Sequence, residues 1–234
     1  MLEHIPFESL YSADHGWLQS NFHFSFAEYI DINNKQYGPL RVMNDDIIKA
    51  HGGFGEHPHQ NMEIITYVLN GELTHQDSIG HKESLGRGSI QYMSAGTGIT
   101  HSEINEGDED IHLIQTWILP SEKGLEPMYG SKVFKLEDRR NKWLHLVGPY
   151  GSDSEINIYQ DASMFASEID SSNALDFNLS DDRALYIKLM EGSADINGVV
   201  FSKGDAAKVE DEDIHVKSID SVHLLLVEIP KEYI

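Results

Sequence analysis

Residues 64–75 of the chain are Ile-Ile-Thr-Tyr-Val-Leu-Asn-Gly-Glu-Leu-Thr-His, and this stretch decides the fold class. Six residues of high β-propensity precede Asn70-Gly71, the dipeptide that favours a type I′ turn because both central residues need positive φ. The stretch therefore predicts a β-hairpin. Similar apolar runs, separated by glycine or asparagine turns, recur at roughly 8–12-residue spacing, which is typical of a β-sandwich or barrel.

The same pattern extends outward along the whole chain. In the first half we predict strands at 22–26, 40–43, 63–69, 89–93, 99–103 and 111–119. In the second half we predict strands at 143–147, 156–159, 184–190, 194–196, 199–201, 206–209, 215–219 and 222–229. Asn44-Asp45-Asp46 is among the predicted turns, and the best candidate for a helix is a short one at 161–168.

The two halves of the chain resemble each other. Val68–Glu72 and Leu189–Ser193 both contain the end of a strand, a glycine turn and the start of another strand, and Gly88 and Gly204 follow in the same order. Prolines and glycines cluster between residues 120 and 132. We therefore expect two related β domains, an N-terminal one at 1–125 and a C-terminal one at 126–234.

The composition excludes several classes of function. There are 39 acidic and 17 basic residues, and the formal net charge of −22 repels nucleic-acid phosphates. Without cysteine, the chain has no disulfide, no thiol nucleophile and no cysteine-ligated metal site. No apolar run approaches the roughly 18 residues of a membrane span, and the N-terminus lacks the pattern of a signal peptide. We expect a cytoplasmic protein that binds neither nucleic acid directly nor a membrane.

Three of the 13 histidines occur in motifs that have the spacing of a metal site. His57-Pro58-His59 and His101-Ser102-Glu103 each place two candidate ligands two residues apart. In an extended strand, such residues point to the same side. Three imidazoles and a carboxylate suit Fe, Mn, Co, Ni, Cu or Zn, and four protein ligands leave positions open on an octahedral ion.

The motifs around these histidines resemble those of the pirin family, a branch of the cupin superfamily. The resemblance is strong over residues 12–120, although Ser94 stands where the second cupin motif usually has proline and the glycine-to-histidine spacing is longer. The residues that carry it are Gly53–His59 with Glu63 and Asn70-Gly71, Met93–Glu103 with Gly88 and Asn105, His15–Leu18, Phe24–Ala27, Leu40–Asp46 and Gln115–Trp117.

The resemblance implies an all-β bicupin, with two tandem antiparallel β-barrels of the jelly-roll type and little helix. Only the N-terminal barrel is expected to bind metal, because the C-terminal half has no His-x-His pair. The implied ligands are His57, His59, His101 and Glu103, around one divalent ion. Fe(II) is favoured, with Zn, Mn, Co, Ni or Cu as alternatives. We assign Glu63 as a partner of the ligating imidazoles, or as the alternative carboxylate, because such imidazoles usually donate their second N–H.

Bacterial members that this chain resembles are described as quercetin 2,3-dioxygenases, which open a flavonol with O₂ and release carbon monoxide. The implied partners are a flavonol-like aromatic molecule and O₂, with Glu103, or alternatively Glu63, as general base. The other hypothesis is an iron-dependent regulatory protein of pirin type, whose acidic surface suits a basic protein partner.

Overall fold

A computed structural model describes residues 1–233 as an almost entirely β structure. Its helical elements are a 3-10 helix at Phe7–Ser9 and one α-helix, α1, at Leu136–Arg139. The strands are β1 (Leu2–Ile5), β2 (Tyr11–Asp14), β3 (Leu18–Phe22), β4 (Leu40–Ile48), β5 (Gly53–His59), β6 (Glu63–Asn70), β7 (Leu73–Asp77), β8 (Lys82–Leu85), β9 (Ser89–Ser94), β10 (Ile99–Ile104), β11 (Ile111–Ile118), β12 (Met128–Val133), β13 (Leu144–Pro149), β14 (Ile156–Ile158), β15 (Ser163–Ile169), β16 (Ala174–Phe177), β17 (Arg183–Glu191), β18 (Ala194–Ile196), β19 (Val199–Phe201), β20 (Ala206–Glu210), β21 (Ile214–Ser218) and β22 (Val222–Pro230).

The chain divides into two compact units. Unit N consists of residues 11–134 and 158–160, and unit C consists of residues 1–10, 135–157 and those from 161 onward. Residues 1–10 belong to unit C because β1 pairs with β20, with Leu2 opposite Val209. The compact units therefore begin and end at other residues than the predicted domains 1–125 and 126–234.

Each unit contains two antiparallel sheets, and the central strands follow in the same order in both units, whereas the edge strands of the larger sheets differ. Unit N has the sheets β12-β9-β6-β11-β4-β3-β2 and β5-β10-β7-β8. Unit C has the sheets β1-β20-β17-β22-β15-β13-β14 and β16-β21-β18-β19. Matching β6 with β17 and β10 with β21 brings the other central strands into correspondence. The repeat predicted from the sequence is therefore present as a repeat of topology.

Residues 64–75 form a corner between the two sheets of unit N, so the predicted hairpin is wrong. β6 pairs with β9 and β11, whereas β7 pairs with β8 and β10. Gly71 has a φ of 78°, but Asn70 is not in the left-handed region that a type I′ turn requires. A Cβ at Gly71 would lie 3.0 Å from the carbonyl oxygen of Asp110. Gly192, with a φ of 81°, occupies the matching corner of unit C.

Three other local predictions differ from the structure. Residues 163–169 form β15, which pairs with β13 and β22 on either side, in place of the predicted helix at 161–168. The predicted strand at 22–26 overlaps β3 only at Phe22. The predicted turn at Asn44-Asp45-Asp46 lies inside β4, where pairing with β3 and β11 holds it extended. At residues 44–46 and 163–169, pairing with distant strands overrides the local preference.

Among residues 1–233, no helix combines the length and the apolar character needed to cross a bilayer.

Candidate metal centre

Antiparallel pairing of β5 with β10 brings the two histidine motifs together. His101 lies opposite His57, and a bulge follows between His101 and Glu103. The ring centroids of His57 and His101 are 4.4 Å apart, those of His57 and His59 are 4.8 Å apart, and those of His59 and His101 are 5.0 Å apart. One nitrogen from each ring lies within 4.8 Å of the others, which suits binding of one ion. The structure thus brings three of the four predicted ligands into one cluster.

The protonation of these rings fits metal binding. His57 Nδ1 donates to the carbonyl oxygen of Gly55 at 2.8 Å, which leaves the lone pair on Nε2. His101 Nε2 is buried and has no hydrogen-bond partner among the described residues. Burial, with the nearby His57, lowers the pKa of His59 to about 4 and that of His101 to about 2. Metal ligation requires neutral imidazoles, and the lowered pKa values keep His59 and His101 neutral at physiological pH.

Glu103 lies beside this cluster and is held by three uncharged side chains. Its Oε1 accepts hydrogen bonds from the Thr66 hydroxyl at 3.3 Å and from the Gln91 amide, and its Oε2 accepts one from the Gln115 amide at 2.7 Å. Burial nevertheless raises the pKa of Glu103. The carboxylate is grouped with His101 and His75, not with His57 and His59. Glu103, the fourth predicted ligand, is therefore close to His101, which also belongs to the cluster with His57 and His59.

A cavity of about 380 Å³ opens onto the centre. Its lining includes His57, His59 and Glu103. Trp117 meets the His59 ring edge to face at 4.9 Å, and the Trp17 and Phe54 rings meet in the same way at 5.0 Å. The other lining residues are His15, Leu18, Ser20, Phe22, Phe26, Ala27, Asn44, Asp46 and Gln115. Its size and its mostly apolar wall suit a small, flat aromatic molecule.

Comparison with known proteins shows which family the chain is similar to. The family model described as Pirin matches residues 6–118, and the one described as quercetinase C-terminal cupin domain matches residues 145–229. A quercetin 2,3-dioxygenase of Escherichia coli K12 is 40% identical over 220 residues, which is 93% of this chain and 94% of that protein. A pirin-like protein of Caulobacter vibrioides is 40% identical over 230 residues, which is 97% of this chain and 99% of that protein.

The chain belongs to the pirin family. A crystal structure of the bacterial pirin YhhW from Escherichia coli in complex with nickel(II) matches it with a TM-score of 0.93 and 37% identity, over 99% of this chain and 100% of that one. The predicted all-β bicupin architecture is thereby confirmed.

Glu63 does not contact the imidazoles of this pirin. Its Oε1 accepts hydrogen bonds from the Tyr92 hydroxyl and the Tyr159 backbone N–H, both at 2.8 Å, and its Oε2 accepts one from the Gln160 N–H at 3.0 Å. The physical reason is strand alternation, because Glu63 is three residues from Thr66 and so faces the opposite side of β6. The predicted pairing of Glu63 with the ligating imidazoles is not present, and Glu63 instead holds residues 158–160 of unit N.

Two residues near the centre are not among the predicted site residues. Asp46 lines the cavity, accepts a hydrogen bond from the Ser20 hydroxyl, and has a pKa that burial raises to about 7. His75 lies on β7 behind His101, with their Nδ1 atoms 3.5 Å apart. The available signal for Asp46 is that a polar triplet, residues 44–46, lies between apolar pairs at 42–43 and 47–48. Three consecutive polar residues also favour a turn, which is the structure predicted here.

Proposed function

We propose that this pirin is a metal-dependent dioxygenase that opens flavonols such as quercetin with O₂ and releases carbon monoxide. One observation carries the proposal: a buried carboxylate lies beside three clustered imidazoles, and His57, His59 and Glu103 of this group line a cavity whose wall is otherwise mostly apolar. The quercetin 2,3-dioxygenase name of the Escherichia coli relative supports the same chemistry.

His57, His59, His101 and Glu103 are the residues that we propose to hold one divalent transition-metal ion. Imidazole and carboxylate donors suit Fe(II), our first candidate, as well as Ni, Zn, Mn, Co or Cu. The nickel in the YhhW structure supports a divalent ion in this family. When bound, the ion supplies open positions for oxygen ligands and stabilises the negative charge of a deprotonated hydroxyl group.

The cavity wall positions the substrate. Trp17, Phe54 and Trp117 present ring edges and faces to the cavity, which suits contact with the fused rings of a flavonol. The apolar wall also excludes water from the substrate, so polar interactions inside the cavity are stronger than in solvent.

A carboxylate of the cavity accepts the proton of the substrate's 3-hydroxyl group. We assign this role to Glu103, whose burial raises its pKa and so makes it a better proton acceptor. The hydrogen bonds from Gln91 and Gln115 fix the orientation of Glu103. Asp46 is the alternative acceptor because it lines the same cavity. Glu63, whose oxygens are engaged elsewhere, is no longer a candidate.

The test combines metal content with turnover. The purified full chain is loaded with each candidate metal in turn, its content is measured by elemental analysis, and O₂ consumption and carbon monoxide release are followed with a panel of flavonols. We expect consumption of O₂ only by metal-loaded protein and only with flavonols that carry a free 3-hydroxyl group. A fully loaded protein that consumes no O₂ with any flavonol would contradict the proposal, and capture of a basic protein partner by that protein would favour the regulatory hypothesis.

A further inference from the structure

A series of hydrogen bonds leads away from the metal centre through side chains that do not line the cavity. His101 Nδ1 lies 3.5 Å from His75 Nδ1, and His75 Nε2 lies 3.3 Å from Asp77 Oδ2. The same carboxylate oxygen lies 3.0 Å from Nδ1 of His81, which is partly exposed. The side chains of His75 and Asp77 are fully buried. His75, Asp77 and His81 all lie outside the His-x-His and His-x-Glu motifs.

The direction of these hydrogen bonds follows from Asp77. Its Oδ1 accepts the backbone N–H groups of Ile79, Gly80 and His81, at 3.0, 2.9 and 3.0 Å. Its Oδ2 faces the ring nitrogens of His75 and His81. A carboxylate in such surroundings acts only as an acceptor. The proton between His75 and Asp77 therefore belongs to His75 Nε2.

The tautomer of His75 determines the tautomer of His101. In the singly protonated form of His75, a proton on Nε2 leaves a lone pair on Nδ1. That lone pair faces His101 Nδ1, which must then be the donor. His101 in turn keeps its lone pair on Nε2, the buried atom without a partner. Each step fixes the next, and the last atom in the series is the buried nitrogen that has no hydrogen-bond partner among the described residues.

We infer that His75 and Asp77 are positioning residues that hold His101 in the Nδ1–H tautomer, with Nε2 free to bind a metal ion. The inference rests on the metal centre of the proposed function but not on the identity of the substrate. Partners behind a ligand histidine fix its tautomer and its ring orientation, and their removal typically weakens metal binding about 10–100-fold. Here the carboxylate acts through a second imidazole instead of bonding the ligand directly.

Packing also holds the intermediate ring in place. The His75 ring stacks on Tyr129, with centroids 4.4 Å apart and planes 16° apart, and Tyr129 stacks on His81 at 4.8 Å. Glu103 lies opposite His75 in the pairing of β10 with β7, and Asp77 lies opposite His101. The pairing of β7 with β10 therefore fixes the positions of His75 and Asp77 relative to His101.

The first test uses the metal-free full chain and needs no turnover. Long-range ¹H–¹⁵N correlation spectra distinguish the two imidazole tautomers, and we expect His101 with its proton on Nδ1 and His75 with its proton on Nε2. In Asp77→Asn, the side-chain amide offers a donor to His75, so we expect the Nε2–H population of His101 to appear. Native His101 found mainly as the Nε2–H tautomer would overturn the inference.

The second test measures the Ni²⁺ dissociation constant by chelator competition. His75→Phe keeps a ring on Tyr129 but removes both nitrogens, and we expect at least tenfold weaker binding, on the order that loss of such partners produces. In His75→Gln, the amide N–H donates to Asp77 and the carbonyl oxygen accepts from His101, so binding should recover to within a few fold of native.

The matched control for these variants is Asp176→Asn, which alters an exposed carboxylate bonded to His215 in unit C. We expect this variant to bind Ni²⁺ like the native protein. Folded His75→Phe and Asp77→Asn proteins that bind Ni²⁺ with native affinity would overturn the inference. Native tautomers and Ni²⁺ binding without any flavonol turnover would instead contradict only the proposed function.

Discussion

Units N and C share one topology but fill the inside of their barrels with different chemistry. In unit N, His101 lies opposite His57 and Glu103 lies opposite His75. Registering the units on the corner glycines Gly71 and Gly192 gives the corresponding pairs of unit C. These are Ile214 opposite Phe177 and Val216 opposite Ile196. All four residues belong to the apolar core of unit C.

The residues that hold Glu103 are replaced in the same way. Thr66 lies opposite both Gln115 and Gln91, and the corresponding residues of unit C are Ile187, Leu226 and Ala207. These are likewise members of the apolar core of unit C. A buried carboxylate is stable only with hydrogen-bond donors around it, so ligands and donors differ together. The comparison teaches that the centre is a set of coordinated side chains placed on a barrel, not a property of the fold.

The largest effect is expected when one ligand is replaced by its counterpart in unit C. His101→Ile places the residue of position 214 at the metal centre and removes the unpartnered Nε2. We expect bound metal to fall to a small fraction of one equivalent in elemental analysis of protein equilibrated with Ni²⁺, because His101 is the one residue that is clustered both with the His57 and His59 rings and with Glu103.

The control for this variant is His215→Ala, which removes an exposed histidine of unit C. It should retain native metal content. His101→Ile protein that is folded and carries one equivalent of metal would show that the centre lies elsewhere.

A smaller effect is expected from replacing the carboxylate by its amide. Glu103→Gln keeps the size of the side chain but removes the proton acceptor, so we expect kcat with quercetin to fall about 100-fold or more while KM changes only a few fold. Glu63→Gln is the matched control, since it makes the same substitution at a buried glutamate that does not line the cavity. Loss of turnover in Glu63→Gln with a mild effect in Glu103→Gln would reverse the assignment.

The sequence predicted the clustering of the three imidazoles better than it predicted strand pairing. Two-residue spacing is a local property of an extended chain, so His57-Pro58-His59 and His101-Ser102-Glu103 identified three clustered imidazoles. The corner at Asn70-Gly71 was mistaken for a hairpin because local residues encode a change of direction but not the strand that lies alongside. The pairing of β6 and β7 with separate sheets is decided by residues far along the chain.

The same distinction explains the errors about carboxylates. Glu63 was grouped with the site because it follows the His-x-His motif closely, but the facing direction depends on where β6 begins. Asp46 was interpreted as part of a turn, although strands on both sides hold it extended. His75 became meaningful only when β7 was placed beside β10. Proximity across strands decided each of these roles, and a single sequence does not encode it locally.

The comparison of the two units also predicts that a polar residue from the interior of unit N destabilises the apolar core of unit C. Leu226→Gln introduces into unit C the amide found at position 115, but the surrounding core has no carboxylate to accept its N–H groups. We expect the free energy of unfolding to fall by about 3 kcal/mol, from the unsatisfied amide and the lost apolar contact. Urea unfolding of the metal-free protein measures this loss. Leu226→Met, of similar volume, should cost less than about 1.5 kcal/mol, and equal losses in the two variants would contradict the polar argument.

The smallest effect has the opposite sign, because Asp46→Asn should stabilise unit N. Burial raises the pKa of Asp46 from 3.8 to about 7, so the native protein loses stability relative to the amide variant as the pH rises from about 4 to about 7. Each pKa unit corresponds to about 1.4 kcal/mol, so the rise from 3.8 to about 7 sets a ceiling of about 4 kcal/mol. We expect about half of that ceiling, or roughly 2 kcal/mol, because water can enter the cavity. Unfolding free energies at pH 4 and pH 8 should therefore be equal for the two proteins at the lower pH and favour Asp46→Asn at the higher one. A pH-independent difference would show that Asp46 is ionised in the folded protein at no cost.

The corresponding position of unit C is Ser167, opposite Leu224 as Asp46 is opposite Leu113. Unit C thus has no carboxylate at this position, and the cost falls only on the unit that contains the cavity.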